Sequence, residues 1–331
     1  MKELDLKLKR EREIFNANVN VHDLPDIFHY WANKFLRPLL EKYEISHPDD
    51  LFVKHMFASA QECAKAGVRG CFNYISIGSG NCDTEVRVAV RLRDMGLTDF
   101  CIECLDLSPS MLNRGKQLAV DAGVSEHLSF IETDLNEWRA NKHYTSVIAN
   151  QSLHHIENLE RLFEQINMSL HPNGSFITSD MIGRNGHQRW PEALELIEDL
   201  WRELPESYKF NHQLNRLESK FVNWDCSTEG FEGVRAQDIL PLLIQNFHFQ
   251  FFVGYSNLID IFIDRSFGHN FRIDNQWDTD FIDRVHTLDE TLIKQGDIKP
   301  THIMAVMKVS PVQYPTYLDG LPPEYCVRAT Q

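Results

Sequence analysis

Positive charge is in short supply in this chain. Its 33 Lys and Arg face 48 Asp and Glu, giving a formal net charge of −15 and a pI near 5.4. So acidic a chain argues against nucleic acid or an anionic membrane as the main partner, because both require clustered cations. Long apolar runs are also lacking. The greasiest stretch, Ile239 to Ile263, is interrupted by Gln245, Asn246, His248, Gln250 and Asp260, too polar to cross a bilayer. Met1 to Arg12 is charged and has no secretory-type apolar core, so a cytoplasmic location is expected. No disulfide framework is visible: seven cysteines stand at 63, 71, 82, 101, 104, 226 and 326, an odd number without regular spacing. Cys101 and Cys104 form a C-x-x-C, but on a strand an offset of three points them to opposite faces, and no other metal-ligand spacing accompanies them. No metal is therefore expected. Internal repeats are absent as well.

What is present is a chain of 331 residues, long enough to bury a large core, organised around one stretch. Phe72-Asn-Tyr-Ile-Ser-Ile77 reads as a buried strand, Gly78-Ser79-Gly80 as a turn, and Glu85 to Leu97 as a helix with Val86, Val88, Ala89, Val90 and Leu92. Glycines at such a turn let the backbone approach a ligand closely, and the helix N-terminus beyond offers unpaired N–H groups. A dinucleotide would want a third glycine where Asp83 stands, with Glu85 close behind. Two carboxylates disfavour a diphosphate. They suit a phosphate-free nucleoside with a positive centre, such as S-adenosylmethionine. The next strand, Phe100 to Leu105, ends in Asp106. A carboxylate at that strand end can take both ribose hydroxyls in charge-assisted hydrogen bonds.

With these residues the chain resembles the class I (Rossmann-like) S-adenosylmethionine-dependent methyltransferases. Ser76-Ile-Gly-Ser-Gly80 stands at that family's glycine motif, and Asp106-Leu107-Ser-Pro-Ser-Met111-Leu at its ribose motif. Phe130-Ile-Glu-Thr-Asp134-Leu135 matches the segment whose acidic residue meets the adenine amino group. Val147 to Ile156, with Asn150 and Gln151, matches the fourth strand, and Leu170 to Gly174 the turn before the fifth. Ser76 replaces the family's acidic residue, and Cys82 replaces its third glycine. The resemblance implies an α/β fold with a doubly wound, seven-stranded, mostly parallel sheet, helices on both faces, and a seventh strand antiparallel beside the fifth. It implies S-adenosylmethionine as cofactor, held by Ser76, Gly78, Ser79, Gly80, Asp83, Glu85, Asp106, Leu107, Met111, Asp134, Leu135, Asn150 and Gln151.

Around this core, residues 1–63 are expected as a helical arm and cap, charged at first and then aromatic from Val21 to Trp31, with Asp50 capping a later helix. The Rossmann-like domain runs over 64–309, with helical insertions at about 182–232 and 258–298, and 310–331 is a proline-rich extended tail. Ligands of such sheets bind outside the carboxyl ends of the strands. His154, His155 and Asp180 fall there and are the candidate catalytic groups. His29, Tyr30, Trp31, Arg189, Trp190, Arg235 and Tyr255 are candidates for acceptor binding, although an aromatic stripe more often marks packing and an arginine more often an ordinary salt bridge. The function expected is methyl transfer to oxygen or nitrogen, less so carbon, of a small-molecule acceptor, with a homodimer left open. The rivals are an NAD(P)-dependent oxidoreductase, which Asp83 and Glu85 argue against, and a scaffold of the same fold that binds cofactor without turnover.

Overall fold

The computed structural model of the protein describes residues 24–228 and 230–328. The expectations for the charged arm at 1–20, for the first aromatic-segment residues at 21–23 and for 329–331 lie outside the described residues.

The chain enters as α1 (Asp26–Trp31), widens into a π-helical turn over Ala32–Leu36, and continues as α2 (Arg37–Glu41). Pro38 accounts for the wide turn, since its ring nitrogen has no hydrogen to give to the preceding turn. Next comes α3 (Pro48–Lys65), whose first turn is closed by a capping box. Its Asp50 carboxylate accepts from the backbone N–H of His47 at 2.8 Å and of Ser46 at 2.7 Å. The doubly wound core follows as β1 (Phe72–Ile77), α4 (Asp83–Asp94), β2 (Phe100–Asp106), α5 (Pro109–Asp121), β3 (Leu128–Glu132), β4 (Tyr144–Asn150), α6 (Leu159–Ser169) and β5 (Leu170–Met181). An insertion holds α7 (Pro191–Glu203) and a small hairpin, β6 (Phe210–Asn211) with β7 (Arg216–Leu217). Then come α8 (Ala236–Asn246), β8 (His248–Tyr255), α9 (Asp260–Ile263), α10 (Gln276–Gln295), β9 (His302–Lys308) and the short β10 (Thr316–Tyr317).

The main sheet runs β10-β8-β9-β5-β4-β1-β2-β3. All its pairings are parallel except those of β9, which lies antiparallel between β5 and β8. The α/β expectation is met, but the sheet has eight strands where the sequence suggested seven. The extra one comes from the proline-rich tail: Thr316 and Tyr317 pair with Phe251 and Phe252 at the open edge. An extended segment is already shaped for a sheet edge, and the prolines around it, lacking N–H donors, confine the pairing to two residues.

Alternation along the strands divides the core. Tyr74 and Ile102 face one layer with Leu51, Phe52, Met56, Val88 and Leu92 from α3 and α4. Ile75, Ile77, Leu105 and Val147 face the other, with Phe163, Ile166, Ile239 and Leu243 from α6 and α8. Thus α3, expected within the cap, is a sheet layer. The Tyr74 hydroxyl donates to the Met56 carbonyl at 3.1 Å, and Ser59 meets Ser175 at 2.8 Å. A third apolar cluster joins α1, α7, α9 and α10 through Ile27, Trp31, Trp201, Phe262 and Phe281.

Candidate active site

At the end of β1 the chain turns through Gly78, with φ at +71°, and Gly80, with φ at +54°. A side chain at Gly78 would lie 2.6 Å from Ser152 Cβ, so the turn can press against the segment after β4 only because this residue is glycine. Asp106 organises the opening. One of its carboxylate oxygens accepts from the Gly80 N–H at 2.8 Å, the other from the Ser108 N–H at 2.8 Å. Burial lifts the Asp106 carboxyl above its ordinary value, against those two N–H donors and the nearby charge of His155. Asp106 therefore ties the glycine turn to the start of α5 and stays partly open to the cleft.

Glu85 points elsewhere than the sequence suggested. Expected beside the ligand, it is fully buried and accepts from the Ser76 hydroxyl at 2.6 Å. Burial pushes its carboxyl up to about 7. The carboxylate that meets Ser76 thus comes from α4. Asp83, Leu107, Asp134 and Leu135 are half-buried along the same rim, Met111 is buried behind it, and Gln151 is exposed. Asn150 donates to Thr84 at 3.2 Å, and Gln151 bends back with φ at +54°.

The second part of the site is built at the ends of β4 and β5. Asp180 is wholly buried and accepts from the backbone N–H groups of Ser152 at 2.9 Å and Leu153 at 2.8 Å. Its other oxygen lies 2.6 Å from His154 Nδ1. The opposite nitrogen of His154 lies 3.4 Å from Glu232, His155 Nε2 lies 3.5 Å from the same carboxylate, and His187 Nε2 lies 2.6 Å from it. Burial alone would lower the His154 imidazole, but Asp180 and Glu232 outweigh it and raise it to about 10. Burial works to raise the carboxyls of Asp180 and Glu232, yet the imidazoles facing them hold both below the ordinary range. His187 is lowered by burial, with Glu232 opposing, and so is neutral near pH 7.

Two glycines make this convergence possible. Gly186 has φ at +63°, and a methyl there would lie 1.9 Å from Asp225 Oδ1. A methyl at Gly233 would come within 3.1 Å of the His187 ring. The loops 185–187 and 225–235 therefore touch backbone to backbone, with the Gly186 N–H donating to the Gly233 carbonyl at 2.8 Å. That contact carries His187 and Glu232 to the histidines after β4. Neither was among the residues singled out from the sequence. His187 lies in a stretch noted for its arginine and tryptophan, and no spacing links Glu232 to residues so distant in the chain.

The residues expected at the acceptor divide. Arg189 is buried, with its guanidinium 3.3 Å from Asp260 and 3.0 Å from the His187 carbonyl, and its Nε has no hydrogen-bond partner. Tyr255 ends β8 with its ring 5.5 Å from that of His302. Trp190 is flanked by the guanidiniums of Arg184 and Arg328, at 5.3 and 4.5 Å from its ring. Arg235 is committed elsewhere: it grips Glu160 with two nitrogens at 2.6 and 2.8 Å and holds Asp238 at 2.8 Å. Tyr30 and Trp31 bond to α10 through Asp283 at 3.0 Å and His286 at 3.2 Å, so they form a helix seam; exposed His29 lines an open groove beside them. The aromatic spacing that suggested an acceptor wall is that of a helix packed on its neighbour.

Residues 84–178 match the family described as a methyltransferase domain. Two malonyl-[acyl-carrier protein] O-methyltransferases of Ilyobacter polytropus are similar. One is 27% identical over 157 residues, covering 47% of this chain and 54% of the relative; the other is 26% identical over 151 residues, covering 42% and 55%. The chain spans about half the length of these curated relatives. Among solved structures, an O-methyltransferase of a trans-AT polyketide synthase from Brevibacillus brevis, bound to S-adenosyl-L-homocysteine, is similar over 91% of this chain and 81% of that one, with 12% identity and a TM-score of 0.44. A geranyl diphosphate C-methyltransferase from Streptomyces coelicolor is similar over 76% and 78%, with 11% identity and a TM-score of 0.42.

An open α/β sheet with a glycine turn after β1 and an acidic residue ending β2 suits a nucleoside cofactor at the carboxyl edge of the sheet. Residues 84–178 within it are similar to a methyltransferase domain, in keeping with the motifs read from the sequence.

Proposed function

We propose that the protein methylates an oxygen or nitrogen of a small-molecule acceptor bound between the glycine turn and the His154–His155–His187–Glu232 cluster. One observation carries this reading. The glycine turn packs directly on the segment after β4, since a Cβ at Gly78 would lie 2.6 Å from Ser152 Cβ, and Leu153–His155 follow at once in the chain. A carboxylate suited to ribose and a group of proton carriers thus stand at neighbouring strand ends.

The residues present fit the cofactor. Asp106 would hold the ribose, the Gly78–Gly80 backbone would approach the methionine moiety, and Asp134 with Leu135 would border the adenine. Ser76 and Glu85 together would replace the acid of the usual motif. When bound, S-adenosylmethionine supplies an electrophilic methyl group. The protein aligns the acceptor and excludes water. A hydroxyl acceptor must also lose its proton. His154, held as an imidazolium by two carboxylates, is no base at rest, and Asp180 serves to position it. His187, kept neutral by burial, takes the proton while Glu232 balances the charge.

The reading is tested by titrating the purified protein with S-adenosylmethionine and S-adenosylhomocysteine, then screening hydroxyl and amine acceptors for release of the product nucleoside. Asp106→Ala is expected to weaken cofactor binding about a hundredfold, the loss of a charged bidentate contact. Unchanged affinity would remove Asp106 from the cofactor site.

A further inference from the structure

We propose that His154, His155 and Glu232 form a binding site for a divalent transition-metal ion of the zinc class, with His187 as outer partner to Glu232 and Asp180 as outer partner to His154. One ligand atom from each of the three residues lies within 4.8 Å of the others. Bonds of about 2.0–2.2 Å to nitrogen and oxygen would draw such atoms together with small side-chain adjustments.

The cluster has the second shell that metal sites use. Asp180, fixed by two backbone N–H donors, binds Nδ1 of His154 and so turns Nε2 toward Glu232. Carboxylate, imidazole and ion in series are the common arrangement for orienting a histidine ligand. His187 engages one oxygen of Glu232 at 2.6 Å, while His155 faces the other at 3.5 Å. Glu232 nonetheless keeps 46% of its side chain accessible, against 5% for His154, so the cluster borders open space. A metal there would take the place of the Nε2 proton of His154, since a ligating imidazole is neutral, and would have a coordination position free for a ligand from the cleft. Two imidazoles and one carboxylate favour zinc, iron(II) or cobalt over magnesium or calcium, which prefer oxygen.

The inference rests on the reading above for the ion's role, which would be to hold the acceptor hydroxyl and ease its ionisation. Binding itself is read without turnover. The full chain, free of any histidine tag and treated with chelator, is titrated with Co²⁺ and followed by visible absorption, with Zn²⁺ then added in competition. One equivalent of Co²⁺ is expected to give d–d bands that Zn²⁺ abolishes. Glu232→Gln and His155→Ala should weaken binding at least tenfold, and Asp180→Asn by about 10- to 100-fold as a positioning residue. His248→Ala, an exposed histidine outside the cluster, should leave it unchanged. Absence of the bands, or equal affinity in Glu232→Gln, would overturn the site. Each variant is checked for folding by its thermal shift with S-adenosylhomocysteine. Metal failure with that shift intact sinks this inference alone, whereas a wild-type protein showing no shift sinks the functional reading.

Discussion

The cofactor half of the cleft and the imidazole half differ in how they are assembled. The first is built around one strand–turn–helix and the strand that follows, tied from Gly80 to Asp106 across 26 positions, with the end of β4 added through Asn150 and Thr84, 66 positions apart. The second takes His154 and Asp180 from the ends of the paired strands β4 and β5, and adds His187 and Glu232, 45 positions apart, which meet where two glycine-bearing loops touch. Local geometry builds the one, and loop packing the other. The two should therefore fail separately when mutated.

The sharpest way to break the comparison is Gly186→Ala. The substituent would overlap Asp225 in a left-handed backbone conformation, so a loss of about 3 kcal/mol in unfolding free energy is expected, read from the denaturant midpoint. His187 and Glu232 should separate, visible in histidine NMR signals, while affinity for S-adenosylhomocysteine stays within about threefold, as expected for an interaction outside that contact set. Equal damage to both halves would show them to be one cooperative unit.

A smaller effect separates the halves by pH. Glu85 has a folded-state value near 7, above the ordinary 4.5, so the native state binds more protons than the unfolded chain between those values. The favourable contribution is complete below pH 4.5 and is lost as pH rises through 7. Glu85→Gln should accordingly raise the melting temperature at pH 8, by an amount equivalent to about 1–3 kcal/mol, and hardly change it at pH 5. A gain of the same size at both pH values would mean that Glu85 is ionised in the native protein. The smallest effect is expected from Arg235→Ala. Its pairing pulls the Glu160 carboxyl down to about 2, but Glu160 is 56% exposed, so the loss should be under about 1 kcal/mol with the KM for acceptor unchanged. A tenfold rise in KM would return Arg235 to the acceptor site.

How much was legible in advance follows the same division. Strands β1 to β5, β8 and β9 lie close to where alternation and apolar runs suggested, and Asp106 stands at the strand end named for it. The Pro-rich tail gave no strand signal, because its two paired residues are recruited by an open sheet edge and not by their own propensity. Tyr30 and Trp31 were open to both readings because helical aromatic spacing looks the same whether it faces a ligand or a neighbouring helix, and here it packs on α10. Glu85 misled because the helix start faces both the ligand and the core, and Ser76 drew it inward.

The sequence by itself determined the doubly wound core, the glycine turn and the carboxylate after β2, because each depends on residues close together in the chain. It determined too that His154, His155 and Asp180 would sit at the carboxyl edge of the sheet. Only the tertiary structure decided that His187 and Glu232 would join them, that Glu85 would turn inward to Ser76, and that Arg235 would be tied to Glu160. Those outcomes depend on which loops can touch, and that is set by backbone approach at Gly186 and Gly233, a property that no spacing along the chain records.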